Sequence, residues 1–229
     1  GNILDVKYVS DLCQKYNSFF HTDAVQAVGH YKIDLKSINI DFLSSAAHKF
    51  HGPKGVGFTY INKSTKIKSF ICGGPQERGL RAGTESVHNI VGMTKALEIA
   101  DKNMGQEAKY VLSIKEYMID NLRKLFPDIH FNGESGDIKN STYTILNVCL
   151  PISNDKAAML DFNLDLKGIA CSRGSACQSG SSEGSHVLNE IQSEEQKKFP
   201  SVRFSFSHNN KIEEVDYLID TLKELIYSQ

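Results

Sequence analysis

Ser44-Ser45-Ala46-Ala47-His48-Lys49 ends on a lysine and follows directly on the apolar pair Phe42-Leu43. An earlier apolar run, residues 18–21, leads in the same way to a carboxylate at Asp23. Short apolar runs bounded by turn signals, here Gly52-Pro53-Lys54-Gly55, are typical of buried strands. Such strands, separated by helices and turns, predict an α/β sheet. Because ligands bind at the carboxyl ends of strands in these sheets, Asp23 and Lys49 are predicted to lie at a ligand site.

The remaining periodicity divides the chain into two predicted domains. Residues 5–16 are predicted to form a helix and residues 56–61 a third strand of the first sheet. Helical periodicity covers residues 87–126, and Met104-Gly105-Gln106 predicts a break into two helices. We place the domain boundary at that break, between residues 1–105 and 106–229. The second domain is predicted to be an α+β unit with strands over 142–150, 168–171 and 201–205 and helices over 155–162 and 212–226.

Composition excludes several classes of protein. Of 229 residues, 40% are hydrophobic and the net charge is −1, so nothing favours a nucleic acid or a membrane surface as partner. The five cysteines are scattered and include no C-x-x-C pair, which argues against a disulfide framework and for a reducing, cytoplasmic location. Metal ligands at short spacing are also missing from the sequence, so we expect no metal site.

The residues at the two strand ends suit one type of cofactor. The amine of Lys49 can form a Schiff base with a pyridine aldehyde, and the carboxylate of Asp23 can keep a ring nitrogen protonated. Gln26 can donate to the phenolic oxygen, and His48 can favour the neutral amine or bind a phosphate. These residues predict pyridoxal 5'-phosphate (PLP). The alternatives are a surface lysine after a strand and an aspartate that caps the next helix.

A thiol in a polar loop adds sulfur chemistry. Cys177 lies among small and polar residues between Ser172 and Ser182, and Arg173 is expected to lower the pKa of its thiol. The alternative is an inert, buried cysteine. The other four cysteines are predicted to be structural, with Cys171 in the core.

Two further segments carry candidate ligand-binding groups. Arg203, inside a predicted strand, can clamp a substrate carboxylate, although an exposed strand face explains it equally. Residues 71–84 are predicted to be an ordered, glycine-rich loop, and residues 73–84 within it can bind a phosphate through backbone amides, Thr84 and an arginine.

Taken together, these motifs resemble those of the NifS/IscS-like cysteine desulfurases, PLP enzymes of fold type I, over nearly the whole chain. Six segments occur in the family's order: His21-Thr22-Asp23-Ala24-Val25-Gln26, Ala47-His48-Lys49, Gly52-Pro53-Lys54-Gly55, Gln76-Glu77-Arg78-Gly79 with Arg81-Ala82-Gly83-Thr84, Gly174-Ser175-Ala176-Cys177 and Val202-Arg203-Phe204-Ser205.

The resemblance implies a role for each candidate residue. Lys49 carries PLP and shuttles protons, while Asp23, Gln26 and His48 bind the pyridine nitrogen, the phenolic oxygen and the phosphate. Thr84 reaches the cofactor of the other subunit, so a homodimer is implied. Arg203 binds the carboxylate of L-cysteine.

The resemblance also implies the reaction. Cys177 takes the substrate sulfur as a persulfide, which leaves L-alanine, and passes it to an iron–sulfur scaffold or another acceptor protein.

For the fold, the resemblance implies an α/β, fold-type-I PLP transferase. Residues 1–105 would be part of the large domain with a mainly parallel sheet, and residues 106–229 the small domain that carries the cysteine loop.

Two departures from the family's pattern stand out: Ala46 occupies a position that is usually serine, and the chain begins well inside the family's pattern. We therefore expect a fragment with an incomplete cofactor site. The alternatives are a selenocysteine lyase or other PLP lyase, and a non-catalytic interaction fragment.

Overall fold

Each of two units in the chain is built around its own three-stranded sheet. The computed structural model describes residues 1–173 and 185–227. One unit comprises Leu4–Gly105, and the other comprises Gln106–Gln229 together with Gly1–Ile3.

The first unit begins with helix α1, Val6–Lys15, in agreement with the sequence. Asp5 caps it, because its side chain accepts a hydrogen bond of 2.9 Å from the backbone N–H of Tyr8. The half-buried side chains of Val6, Val9 and Cys13 attach the helix to the core of this unit.

The first sheet has the order β1-β2-β3, with β1 at His21–Asp23, β2 at Phe42–Ala46 and β3 at Gly57–Ile61. Strands β1 and β2 are parallel, whereas β2 and β3 are antiparallel, so the sheet is mixed rather than mainly parallel. The connection between β2 and β3 explains this. It is shorter than the dozen or more residues that a parallel crossover requires, so the chain can only turn back.

The two faces of this sheet differ. Side chains alternate along a strand, so Leu43, Phe58 and Tyr60 share the face that packs against the core. The opposite face carries Asp23 beside Ser44, which are partners in the parallel register.

Helix α2 runs without interruption from Val87 to Leu125, a length of 39 residues. The predicted break at Met104-Gly105-Gln106 is therefore wrong, although the division of the chain into two units falls between Gly105 and Gln106. A single glycine costs a helix only about 1 kcal/mol relative to alanine. Apolar packing on both sides of Gly105, from Met93 to Ala100 and from Val111 to Leu122, outweighs that cost.

The second unit contains an antiparallel sheet of order β4-β5-β6, with β4 at His130–Phe131, β5 at Ile145–Cys149 and β6 at Ser201–Ser205. Its described helices after α2 are α3 Asn154–Ala158, α4 Leu160–Leu166, α5 His186–Ile191 and α6 Ile212–Tyr227. The apolar core lies between one sheet face and the helices α2, α4 and α6, and it includes Ile114, Leu122, Leu146, Leu164, Val202 and Leu222.

The strand predicted over residues 168–171 does not form. Helix α4 ends in a Schellman motif, in which Gly168 has a φ of 74° and its N–H bonds to the Asp165 carbonyl. The next N–H, of Ile169, bonds to the Leu164 carbonyl. These bonds use backbone groups that a strand would need, and among residues 168–173 only Ser172 pairs with β6, opposite Arg203. Within the part of the chain that the structure describes, no helix is both long and apolar enough to cross a membrane.

Candidate active site

Asp23 and Lys49 follow adjacent parallel strands and lie at the same edge of the first sheet, as predicted. Asp23 is the last residue of β1 and is exposed. Its Oδ1 accepts a hydrogen bond of 2.9 Å from the N–H of Val25, which begins the turn after the strand. Among the described residues, no side chain or backbone group donates to Oδ2. One carboxylate oxygen of Asp23 thus shapes the turn, and the other is available to a ligand.

Lys49 lies in a short 3-10 helix, Ala47–Phe50, that directly follows β2. Ala47 and Phe50 are buried at its two ends, whereas His48 is exposed and Lys49 half-buried. The His51 N–H bonds to the Ala47 carbonyl and closes the turn. The sequence therefore presents two basic side chains on a turn that is fixed by its apolar neighbours.

The turn after β1 packs against the turn after β2. His30 Nε2 donates a hydrogen bond of 3.1 Å to the carbonyl oxygen of Lys49. A Cβ on Gly29 would lie 2.5 Å from the Cβ of Phe50, and Gly29 also has a φ of 82°. Only glycine permits this approach without displacing the Lys49 turn. Gln26 belongs to the same turn as Gly29 and is exposed.

Residues 71–84 form an ordered loop without regular strands, as predicted. Ile71 bridges to Arg81, and the side chain of Gln76 accepts a hydrogen bond of 3.1 Å from the N–H of Gly83. The guanidinium of Arg81 bonds to the carbonyls of Ala82 and Gly83 and to Glu85. Arg81 therefore holds the loop together, whereas Arg78 and Thr84 are exposed and offer side-chain donors suited to a phosphate.

Arg203 belongs to the second unit and lies in the middle of β6. Its backbone exchanges hydrogen bonds of 2.7 and 3.1 Å with Ser172 on one side, and Asn147 is its partner on β5. The Nε atom is buried and has no hydrogen-bond partner among the described residues. A buried, unpartnered donor is costly. It fits a site that is completed by an acceptor from a ligand, such as a carboxylate.

Cys177 lies outside the described residues, and its predicted reactivity stays a prediction. The nearby Cys171 is half-buried, and burial, reinforced by the charge of Asp161, raises the pKa of its thiol to about 11. The guanidinium of Arg173 bonds to the Ala157 carbonyl and lies 3.6 Å from Asp161. Cys171 is thus a structural thiol, as expected, although it does not lie in a strand.

Sequence reasoning missed a polar pair beside Asp23. His21 Nε2 and Ser44 Oγ are 3.0 Å apart and share a hydrogen bond. His21 lies two residues before Asp23, so the alternation of a strand places it on the same sheet face. That alternation was the signal that could have identified it.

The family of the chain follows from comparison with known proteins. The family model described as Aminotransferase class-V matches residues 1–218, and the chain belongs to this family. The predicted fold type I and the resemblance to NifS/IscS-like proteins are thereby confirmed.

Curated relatives and solved structures agree. The chain is 41% identical over 226 residues to the cysteine desulfurase IscS of Clostridium botulinum, covering 99% of this chain and 56% of the relative. It is 39% identical over 227 residues to the cysteine desulfurase IscS of Dictyoglomus turgidum, with the same coverage. A solved NifS-like protein superposes with a TM-score of 0.84 and 34% identity over 98% of this chain and 57% of that one. The chain thus spans about half the length of the curated relatives that it matches.

Proposed function

We propose that this chain serves a PLP-dependent cysteine desulfurase reaction, in which L-cysteine yields L-alanine and its sulfur passes to Cys177. The observation that carries the proposal is the position of Asp23 and Lys49 at the ends of adjacent parallel strands. The relatives are cysteine desulfurases, which supports the choice of reaction and favours cysteine over selenocysteine as substrate.

The residues at this edge fit the cofactor chemically. In the proposal, Lys49 would hold PLP through its amine, and the free oxygen of Asp23 would keep a proton on the pyridine nitrogen. Gln26 offers an amide donor for the phenolic oxygen. His48 and Thr84 offer donors for a phosphate, with Thr84 serving the partner subunit of a homodimer. Bound PLP supplies an electron sink for bond cleavage at the substrate.

One hydrogen-bond donor for the phosphate is missing from these residues, because position 46 is alanine. The neighbouring hydroxyl of Ser44 is already bonded to His21, so it does not replace the serine that the family pattern has at position 46. We therefore expect weaker phosphate binding than in a relative with that serine.

The substrate and sulfur steps depend on the second unit. Arg203 binds the carboxylate of L-cysteine through its unpartnered Nε and holds the substrate for sulfur transfer. In this proposal the thiolate of Cys177 would attack the substrate sulfur, so that an S–S bond forms as the Cβ–S bond breaks. The electron pair of the broken bond and a proton stay with the carbon skeleton, which becomes alanine. The outer sulfur of the persulfide then passes to an acceptor protein, for which an iron–sulfur scaffold is our first candidate. In this proposal residues 1–105 form the lysine-bearing part of the large domain, and residues 106–229 form the small domain of a cytoplasmic enzyme.

Reductive trapping tests the cofactor assignment. The purified chain is incubated with PLP, reduced with borohydride, freed of excess cofactor and digested for mass spectrometry. We expect the cofactor on Lys49 in the wild type and in Lys54→Ala, whose exposed lysine lies in the turn that follows. No cofactor should be fixed at this position in Lys49→Ala. A wild-type chain that fixes PLP elsewhere, or not at all, would contradict the assignment.

The sulfur step is tested by alanine production. L-cysteine is added to the PLP-loaded chain, and we expect alanine from the wild type and none from Cys177→Ala. Alanine production that persists in Cys177→Ala would exclude this cysteine as the sulfur acceptor.

A further inference from the structure

A closed polar network lies on the second sheet. The side-chain amide of Gln192 donates hydrogen bonds of 2.8 Å to Asn132 Oδ1 and 2.9 Å to Ser201 Oγ. The amide of Asn132 donates in turn to Ser201 Oγ at 3.0 Å and to Asn147 Oδ1 at 2.8 Å. Asn132 is only 7% exposed, so its two polar atoms depend on these protein partners.

This network adjoins Arg203. Ser201 lies two residues before Arg203 on β6, and Asn147 is the partner of Arg203 on β5. By the alternation of side chains, all three lie on the sheet face opposite the apolar core. The position of Asn147 is itself fixed, because its carbonyl accepts from the N–H of Asn132 and from the hydroxyl of Ser135.

Gln192 is the residue that connects helix α5 to this network. Helix α5 begins after Ser185, whose hydroxyl accepts from the N–H of Leu188, and Gln192 is the first residue beyond its end. None of the residues of α5 is buried, and Val187 and Ile191 are exposed. Apolar packing therefore contributes little to the position of this short helix, and the side chain of Gln192 supplies the attachment.

We propose that Gln192 is a positioning residue that fixes α5 to the strand carrying Arg203. The inference rests on the proposed function, because its importance for catalysis depends on Arg203 binding the substrate and on Cys177 accepting the sulfur. Residues 174–184, which contain Cys177, lie in sequence between Ser172 and helix α5. Ser172 attaches the chain to Arg203 just before them, and Gln192 attaches it to Ser201 and Asn132 after α5. The described chain is thus attached to β6 at Ser172, before the cysteine segment, and at Gln192, beyond α5.

The test compares three variants of the full chain. Gln192→Ala removes the side chain, and Gln192→Glu keeps its shape but loses both donated hydrogen bonds. Asn189→Ala removes an exposed amide from α5 itself and is the matched control. Backbone hydrogen exchange is measured by mass spectrometry over residues 185–192 and, as an internal reference, over β5. Steady-state kinetics with L-cysteine follow in the presence of PLP.

We expect both Gln192 variants to speed exchange over residues 185–192 by about tenfold or more, with no change in β5 or in Asn189→Ala. We also expect kcat to fall by about tenfold or more while KM changes little, because the segment that carries the thiol loses its attachment and the carboxylate clamp is kept.

Unchanged exchange in Gln192→Ala, or equal effects in Asn189→Ala, would overturn the proposal. Faster exchange without a change in kcat would overturn the catalytic role. A wild-type chain without turnover would contradict the proposed function instead. The exchange data would then still test whether Gln192 attaches α5 to β6.

Discussion

The ammonium of Lys115 donates a hydrogen bond of 2.7 Å to the hydroxyl of Ser141 from a side chain that is fully buried. It also donates, at 2.7 Å, to the carbonyl oxygen of Thr142. No carboxylate forms an ion pair with it in the described part of the chain. Burial lowers the pKa of Lys115 to about 8. The charge of Asp137 acts in the opposite direction and raises this pKa, but its effect is smaller.

This lowered pKa predicts a pH-dependent stability. Between about pH 8 and the usual lysine pKa near 10.5, the unfolded chain binds more protons at this site than the folded chain. The free energy of unfolding should therefore rise with pH across that window, by at most roughly 3 kcal/mol from this group. Lys115→Met should lose this rise, whereas Lys109→Met, an exposed lysine of the same helix, should keep it. Urea unfolding at about pH 7 and pH 10 measures the difference, and parallel pH profiles for wild type and Lys115→Met would contradict it.

Gly105 offers a test of why α2 is continuous. A Cβ at this exposed position would have no heavy atom within 4 Å. Gly105→Ala should therefore raise the free energy of unfolding by about 0.5–1 kcal/mol, through helix propensity alone. Gly29→Ala should act in the opposite direction, because its Cβ would lie 2.5 Å from the Cβ of Phe50 at a φ of 82°.

Urea unfolding of the two glycine variants checks these signs. A destabilised Gly105→Ala would indicate that the helix requires glycine at this point, for example for a bend. Unchanged stability in Gly29→Ala would mean that the two turns at the candidate site can separate without cost.

The sequence was sufficient to place Asp23, Lys49 and Arg203 on the fold but not to define every element. Asp23 and Lys49 could be assigned to strand ends because apolar runs and turn signals lie directly beside them. The direction of β3 depended on the length of its connection, and the continuity of α2 depended on packing along the whole helix. Gln192 bonds to Asn132, which is 60 positions away in sequence, and no local pattern brings these two residues together.

Cys171 should react slowly with alkylating reagents. Since burial and Asp161 raise the pKa of its thiol to about 11, little thiolate exists near neutral pH. We expect iodoacetamide at about pH 8 to modify the exposed Cys72 at least about tenfold faster than Cys171. Asp161→Asn should speed the modification of Cys171, because it removes a charge that disfavours the thiolate. Asp165→Asn, whose charge has a smaller effect on this pKa, is the matched control.

Peptide mass spectrometry of the alkylated chain measures these rates. Equal rates for Cys72 and Cys171 would contradict the burial of the Cys171 thiol. The expected slow reaction also means that Cys171 cannot replace Cys177 as a nucleophile near neutral pH, so alanine production should not survive in Cys177→Ala.

Arg203 should be more important for binding than for stability. Its buried Nε lacks a partner among the described residues, so Arg203→Met removes a donor that costs the folded chain free energy. We expect an unchanged or higher free energy of unfolding, by up to about 1–3 kcal/mol. KM for L-cysteine should increase by roughly 10- to 100-fold, the value of a charge-assisted hydrogen bond to the substrate carboxylate.

Arg123→Met is the contrasting variant, because the guanidinium of Arg123 lies 5.3 Å from the ring centre of Phe131. It should lose about 0.5–1 kcal/mol of stability and leave KM unchanged. A strongly destabilised Arg203→Met with unaltered KM would show instead that Arg203 is a structural residue of β6.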